Sequence, residues 1–542
     1  MTPASSARPS RLADGAVVAA STVVAVAVTA LRLPVAYWAD EGISVGIAAQ
    51  PAARIPRLLA RDGSPPLYYE VLHFWMAVAG RSETATHLLS LIAVALTVPA
   101  LWWTARYAAG RRAALAAVVM AAGSPLLLWY GAETRMYAIV ALAATLTTGA
   151  YLRALEGEGR RWLVAAVAGA IAVTWLHDWG VYLVAALAGA GWILAAHRRD
   201  RRAGAVATVF AAATALVYLP WVPTLLHQIG HTGAPWAAAP SLGAALRDPL
   251  YATFGSPWPP LAAAAVAVAG GAVRRGGAPR AAPVTGAGAY PGRLAVVATA
   301  VALTVAVGWA AGQAGGSWTA RYLTVVAGPL LVLGGAALLQ AAAGVAGAAA
   351  RLAPRSAPGA RRALPAGLAA AGALGVMLAG ALPVLAPSGH AIDMKSDVAG
   401  LAGVLRPGLR PGDVIVVDQA SIVAVVSHYL GPGYRYADPT GPVTAPYMVD
   451  WDDLTARLRA ADPAALIASL AAGVAPGGHL VVVGPLQWPS RAPTAYGDLV
   501  ARRAREVIAA ATTDPLLGAG RVVGARLAGG PYAVRAVELS RS

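Results

Sequence analysis

The stretch PPLYYEVLHFWMAVAG, residues 65–80, decides the topology of this chain. It is apolar enough to suggest a membrane crossing. Yet it falls short of the ~20 residues that a spanning helix needs, and Glu70 and His73 stand in its middle. Apolar windows closer to that length occur near 14–34, 84–105, 113–131, 135–152, 161–177, 179–196, 203–222, 259–273, 294–313, 321–345 and 364–384. Between them lie arginine clusters: Arg8/Arg11, Arg106/Arg111/Arg112, Arg153/Arg160/Arg161, Arg198/Arg199/Arg201/Arg202, Arg274/Arg275/Arg280/Arg293 and Arg351/Arg355/Arg361/Arg362. If residues 66–80 lie at the interface, eleven spans put every cluster on one side, as the inward bias of basic loops demands. If they crossed, every cluster after the first would change sides. The expected fold is mainly α, a polytopic bundle of about eleven spans in the cell membrane, with the N-terminus cytoplasmic and the C-terminus extracytoplasmic.

Composition agrees. Of the 542 residues 58% are hydrophobic and 12% are charged, with a mean hydropathy of +0.60, against about 25% charged in soluble domains. The net charge of +17 suggests nucleic acid, but its distribution removes that partner. Residues 388–542 hold 14 basic and 13 acidic groups, leaving 28 against 12 in residues 1–387, in short clusters with no aromatic-interleaved basic face. Cysteine is absent, which excludes disulfides, thiol nucleophiles and Cys metal sites. Lys395 is the one lysine, and the prevalence of Arg, Ala and Gly reads as the codon bias of a GC-rich genome.

The extracytoplasmic side then receives the chemistry. A first loop, residues 35–84, carries two short amphipathic stretches, 42–50 and 66–80. Later come Glu133, Arg135 and Tyr137, then His177-Asp178-Trp179, the segment 223–257, and Ser317-Trp318-Thr319-Ala320-Arg321-Tyr322. At about Ser388 the composition changes. GDVIVVD (412–418), HLVVVGP (479–485) and RVVGARL (521–527) read as strands and SIVAVVSHYL (421–430) as a helix. Residues 1–387 thus form a membrane domain and 388–542 an extracytoplasmic α/β domain, large enough for its own core.

Asp40 and Glu41 stand where the first span meets the outer surface. Ionisable groups at membrane depth are costly and usually functional. A carboxylate there serves as general base on a hydroxyl or as a ligand for a divalent cation; the plainer alternative is that both acids cap the following helix. Glu133 beside Arg135 is either a site or a weak surface pair. His177-Asp178 is either a proton or metal site or an interfacial turn. Arg321 defies the inward bias of the other arginines, which argues for an anionic partner such as a lipid phosphate, with simple snorkelling as the alternative.

Together these stretches resemble the protein O-mannosyltransferase-like branch of the GT-C glycosyltransferases (glycosyltransferase family 39-like), which includes the lipid A aminoarabinose transferases. The resemblance rests on Asp40-Glu41, on Ser64-Pro65-Pro66-Leu67-Tyr68-Tyr69, on Ser124-Pro125 with Glu133-Thr134-Arg135-Met136-Tyr137, and on Arg321-Tyr322-Leu323. It covers about 30–150 and 315–335. Two departures stand out: Ser64 replaces the His that members often carry before the paired prolines, and the carboxylate of the second active-site loop is either Glu133 or Asp178.

The resemblance implies a GT-C fold and a membrane glycosyltransferase moving a hexose or pentose, mannose or similar, from a polyprenyl-phosphate donor to an extracytoplasmic glycan, lipid or protein acceptor of the cell envelope. It implies inversion, with Asp40 as base and Glu41 orienting the acceptor or a cation. Arg321, Arg135 and Tyr322 would serve the donor phosphate, and Tyr68, Glu133, Tyr137, His177 and Asp178 would line the substrate site. No cofactor is implied, and a divalent cation stays open. The alternative from another class is an ion-coupled transporter or flippase of envelope lipids. Such proteins commonly show repeats and broken helices at mid-membrane, whereas the ionisable residues here gather at one face.

The topology is checked by reporter fusions. Fusions after Arg112, Arg161, Arg202, Arg280 and Arg362 should report cytoplasm, and fusions at Gly63, Gly233 and beyond Ser388 the outside. An outside signal at Arg112 would mean that residues 66–80 cross the membrane.

Overall fold

The computed structural model describes residues 8–256, 291–315, 318–352, 358–385, 395–485, 494–524 and 534–542. A first helix, α1 (Arg8–Ala30), leads into a loop with three short helices, α2 (Ala39–Ala48), α3 (Ile55–Asp62) and α4 (Leu67–Ala79). The bundle continues through α5 (Glu83–Ala109), α6 (Arg111–Ala121), α7 (Pro125–Tyr130), α8 (Tyr137–Glu156), α9 (Arg160–Leu176), α10 (Trp179–Arg198), α11 (Arg201–Tyr218) and α12 (Val222–His231). It closes with α13 (Leu242–Phe254), α14 (Pro291–Gly315), α15 (Thr324–Leu352) and α16 (Pro358–Leu385).

Among the described residues, eight segments are long and apolar enough to cross a membrane: Leu12–Ala30, Glu83–Ala109, Tyr137–Glu156, Trp179–Arg198, Arg201–His231, Gly292–Gly315, Ala320–Ala349 and Leu364–Leu385. The protein is a multi-pass membrane protein. Two further expected spans take a shorter form. The one at 113–131 is split into α6 and α7, because Pro125 forces the preceding Ser124 into an extended conformation. The one at 161–177 is the 17-residue α9. The expected span at 259–273 lies outside the described residues. Helix α4 has 13 residues, about 20 Å of length, too short for a hydrocarbon core of about 30 Å.

Basic clusters from different loops meet at one end of the bundle. Arg111 Nε donates to Asp14 at 2.8 Å, Arg198 Nη1 to Glu156 at 3.0 Å, and Arg293 Nη1 to the Tyr107 carbonyl at 2.9 Å. The opposite end carries Asp40, Arg135, His177 and Arg321. Leu96, Ile193, Leu216 and Leu382 are exposed on the rim, as a lipid-facing surface requires.

After the last span comes a mixed sheet of six strands, β1 (Val414–Val417), β2 (Arg435–Asp438), β3 (Gly441–Val443), β4 (His479–Pro485), β5 (Arg521–Gly524) and β6 (Val534–Ser540), in the order β3-β2-β1-β4-β6-β5. Strand β1 runs parallel to β2 and β4, with Val414 opposite Leu480, and the other pairings are antiparallel. Helices α17 (Val398–Leu405), α18 (Val423–Leu430), α19 (Leu454–Ala460), α20 (Pro463–Ala472) and α21 (Ala495–Thr513) accompany it. The strands expected at 412–418, 479–485 and 521–527 are β1, β4 and β5, residues 525–527 lying outside the described residues. The helix expected at 421–430 is a 3₁₀ turn at Ala420–Ile422 followed by α18. The composition change near Ser388 also falls outside the described residues.

This sheet unit sits directly on the first loop. Helix α2 crosses α18 so closely that a Cβ on Gly42 would lie 2.6 Å from Val425 Cα, and one on Gly46 would strike the Tyr447 carbonyl. The backbone N–H of Tyr37 donates to the Tyr429 hydroxyl at 2.7 Å, which donates to Glu83 at 2.8 Å. Gly42→Ala should therefore destabilise the protein by about 1–3 kcal/mol, the usual cost of overpacking. Gly403→Ala on α17 has no neighbour within 4 Å of the added Cβ and should be neutral or stabilising. Thermal unfolding in detergent separates the two, and equal midpoints would refute the close contact.

Candidate active site

Helix α2 begins with Trp38 in an extended N-cap conformation, and Glu41 at the third position accepts from the Trp38 N–H at 3.3 Å. Adjacent side chains on a helix diverge by ~100°, so Asp40 and Glu41 take different roles. Asp40 is partly open. Its Oδ2 lies 3.0 Å from Arg321 Nη1, which comes from the 3₁₀ turn Ala320–Leu323 at the head of α15. The guanidinium stacks between aromatic faces, 4.7 Å from Trp236 and 5.6 Å from Trp38. Arg135 approaches from the turn before α8. Its Nη1 donates to Ser44 Oγ at 3.1 Å, to the Tyr69 hydroxyl at 3.1 Å and to the Asp40 carbonyl at 3.4 Å. Two cations from distant segments thus meet Asp40, Arg321 at its carboxylate and Arg135 at its backbone carbonyl.

Glu41 faces inward. Its Oε1 lies 2.7 Å from His87 Nε2, and it accepts from Lys395 Nζ at 2.7 Å and from the Thr134 N–H at 2.8 Å. The carboxylate has no solvent exposure. Burial alone would raise its pKa, but Lys395 and His87 outweigh that and hold it well below the ordinary carboxylate range. Glu41 was expected to orient an acceptor or a cation. Its partners among the described residues are Trp38, His87, Thr134 and Lys395.

Glu133 is buried next to this group, its Oε2 without a hydrogen-bond partner among the described residues. Burial raises its pKa, Lys395 opposes, and Glu41 and Asp40 add to the rise. Asp178 belongs elsewhere. Burial raises it to about 7, and its neighbour is Tyr218 rather than Asp40 or Arg321. Of the two carboxylates proposed for the second loop, the structure brings Glu133 and not Asp178 to Asp40. Tyr137, His177 and Tyr322 form an aromatic cluster, with His177 4.7 Å from Tyr322 and 5.8 Å from Tyr137, and Tyr137 6.4 Å from Tyr322. Tyr68 packs edge-on against Tyr69 at 5.6 Å.

Sequence reading missed Ser44, His87, Trp236, Lys395 and Asp62 as members of this region. Asp62 ends α3 with its Oδ1 buried and unpartnered among the described residues. Burial raises it to about 7, Arg135 opposing and Asp40 adding to the rise. Arg135 Nε, Arg321 Nε and the Tyr68 hydroxyl are likewise buried without partners among the described residues. Folded proteins satisfy roughly 90% or more of their buried polar groups. With Glu133 Oε2 these are donors and acceptors gathered in the region of Asp40 and Arg135. Among the described residues no three His, Asp or Glu side chains could hold a metal ion. Asp40 lines neither the cavity of about 710 Å³ beside His428, Tyr434 and Tyr436 nor the one of about 470 Å³ beside Asp14, Val18 and Trp102.

Because Asp62 and Glu133 bind protons more tightly in the folded state, their contribution to stability is full below about pH 4 and fades as the pH rises toward 7. The thermal midpoint should fall between pH 5 and 8, and Asp62→Asn or Glu133→Gln should flatten that fall. Parallel curves for wild type and both variants would refute the raised values.

Residues 63–226 match the family model of the dolichyl-phosphate-mannose-protein mannosyltransferases. No curated protein sequence matches the chain. The fold is similar to that of ArnT from Cupriavidus metallidurans in the apo state, with a TM-score of 0.61 and 14% identity over 96% of this chain and 97% of that one. It is similar to ArnT bound to undecaprenyl phosphate, with a TM-score of 0.55 and 16% identity over 96% and 97%. The apo oligosaccharyltransferase of Archaeoglobus fulgidus matches with a TM-score of 0.54 and 12% identity over 79% of this chain and 65% of that one. The chain thus has the fold of the GT-C glycosyltransferases, and its residues 63–226 match a family of that superfamily.

Proposed function

We propose that this glycosyltransferase takes a sugar, mannose or a similar hexose or pentose, from a polyprenyl-phosphate donor and passes it to an acceptor hydroxyl outside the cytoplasm. The supporting observation is the Asp40–Arg321 pair, 3.0 Å apart on the first loop and the head of a late span. It gathers at one face the two kinds of group the transfer needs, a carboxylate able to take a hydroxyl proton and a cation able to meet a leaving phosphate. The donor lipid follows the matched family and the undecaprenyl phosphate of ArnT. A transporter or flippase has no support from either comparison.

The reaction balances as follows. The acceptor oxygen attacks the anomeric carbon as Asp40 takes its proton. The bond from that carbon to the phosphate oxygen breaks with its electron pair, and polyprenyl phosphate leaves, inverting the anomeric centre. Arg321 and Arg135 meet the charge that grows on the departing phosphate. Arg321 exchanges part of its contact with Asp40 for the donor, which frees the carboxylate for the acceptor. Tyr322, Tyr137 and His177 flank the sugar, and Glu133 contributes a hydrogen bond to one of its hydroxyls. Residues 1–387 carry this chemistry, the first loop (35–84) facing the extracytoplasmic side, and residues 388–542 form the unit that covers it.

Purified protein in detergent, given undecaprenyl-phosphate mannose or undecaprenyl-phosphate aminoarabinose, should release undecaprenyl phosphate in the presence of envelope glycolipid or peptide acceptors. Asp40→Asn should lower turnover about a hundredfold or more, within the range of 10²–10⁴ for a lost general base, with folding retained. Arg321→Ala should cost about 2–4 kcal/mol of transition-state stabilisation, and Arg321→Lys less, since it keeps the charge but loses the planar fork. Wild-type turnover in Asp40→Asn would end its assignment as base.

A further inference from the structure

Lys395 is the one lysine among 42 basic residues, and it stands between the last span and the sheet unit. Its ammonium is buried, with the side chain 4% exposed. It donates to Glu41 Oε1 at 2.7 Å and to the Ala132 carbonyl at 2.5 Å, and lies 3.4 Å from His87 Nε2. The same Glu41 oxygen contacts His87 on α5 and the Thr134 N–H. The other ring nitrogen of His87 reaches the Leu33 carbonyl at 2.7 Å. One buried carboxylate therefore gathers four separate stretches: the exit from α1, the head of α5, the 132–134 turn and the chain after the bundle.

The residues beside these anchors are those of the reaction. Asp40 precedes Glu41, and Glu133 and Arg135 flank Thr134. A compact ammonium suits this place where a guanidinium does not. From one compact centre its N–H groups reach both Glu41 Oε1 and the Ala132 carbonyl beside His87, whereas the longer planar fork of arginine spreads its donors in one plane. The chain uses arginine nearly everywhere else, so the exception follows the geometry.

We infer that Lys395 is a positioning residue of the transfer reaction: through Glu41 it locks the first turn of α2 to the 132–135 turn, so that Asp40 and Arg135 are held in one arrangement opposite Arg321. The sheet unit thereby takes part in building the active site. The inference rests on the proposed reaction, and its tests are chosen to separate the two.

The first test needs no activity. Reductive methylation with formaldehyde and cyanoborohydride, read by peptide mass, should leave Lys395 unmodified in the folded full-length protein and modify it in Glu41→Gln. Modification of the folded wild type at the rate of denatured protein would overturn the buried pair. The second test uses Glu41→Gln/Lys395→Met, which removes both charges together and so avoids stranding one of them, and Lys395→Arg, which keeps the charge. Turnover is counted per binding site, titrated with undecaprenyl phosphate, so that lost fold and lost positioning are distinguished. Both variants should bind the lipid within about twofold of wild type and lose at least tenfold in kcat per site, with donor KM nearly unchanged. Wild-type kcat per site in either folded variant would overturn the positioning role. If the wild type itself transfers no sugar from polyprenyl-phosphate donors, the proposed reaction fails while the methylation result still decides the buried pair.

Discussion

Removing a carboxylate from water is among the most costly steps a fold can take, and Glu41 is removed completely. The cost is met by one ammonium, one imidazole and two backbone N–H groups, each delivered by a different part of the chain. The contribution has a definite sign. A carboxyl held below its ordinary pKa adds stability that is complete above the usual carboxylate range and is lost as the pH falls through the lowered value. The cluster is thus secure near neutrality. Because its members are far apart in sequence, none can move without disturbing the others.

Asp40 obeys the opposite logic. Its pair with Arg321 keeps 16–19% of each side chain open, so water and a ligand can compete for it. A partly exposed ion pair adds little to stability. Its worth lies in arrangement. Both charges stay near the aromatic cluster of Tyr137, His177 and Tyr322, and the guanidinium lies against the rings of Trp38 and Trp236. Two acids adjacent in sequence are divided by the helical turn into one enclosed by the protein and one left partly open.

Much of the fold was legible because it rests on signals that survive in a single sequence. Apolar length marked the long spans, and arginine bias argued against a crossing at residues 65–80, which form the short helix α4. Strands β1 and β4 were visible as unbroken runs of valine. Strands β2 and β3 were not, since RYAD and GPV are short and gain their pairing only from β1 beside them. Strand β6, VRAVELS, carried an alternating pattern that marked it in hindsight, with Glu538 buried against Arg521. At the site, Asp40, Arg135 and Arg321 were legible because charges at membrane depth are conspicuous. Choosing Glu133 over Asp178 was not, because it depends on which turn the bundle folds toward α2. Lys395 had a signal, its solitude among arginines, which reads as composition until its partners are seen.

The buried polar atoms without partners around Asp40 complete the physical picture. Arg135 Nε, Arg321 Nε, Glu133 Oε2, Asp62 Oδ1 and the Tyr68 hydroxyl each forgo a hydrogen bond that folding normally secures. A fold tolerates such a group only where neighbouring packing holds it in place. Here that support is the Glu41 cluster beneath and the α2–α18 contact above, where Gly42 and Gly46 admit the sheet unit to backbone distance. Stability invested around the site maintains unsatisfied donors and acceptors within it. Under the proposed reaction a sugar phosphate, rich in acceptor oxygens and hydroxyl donors, would satisfy both kinds at once.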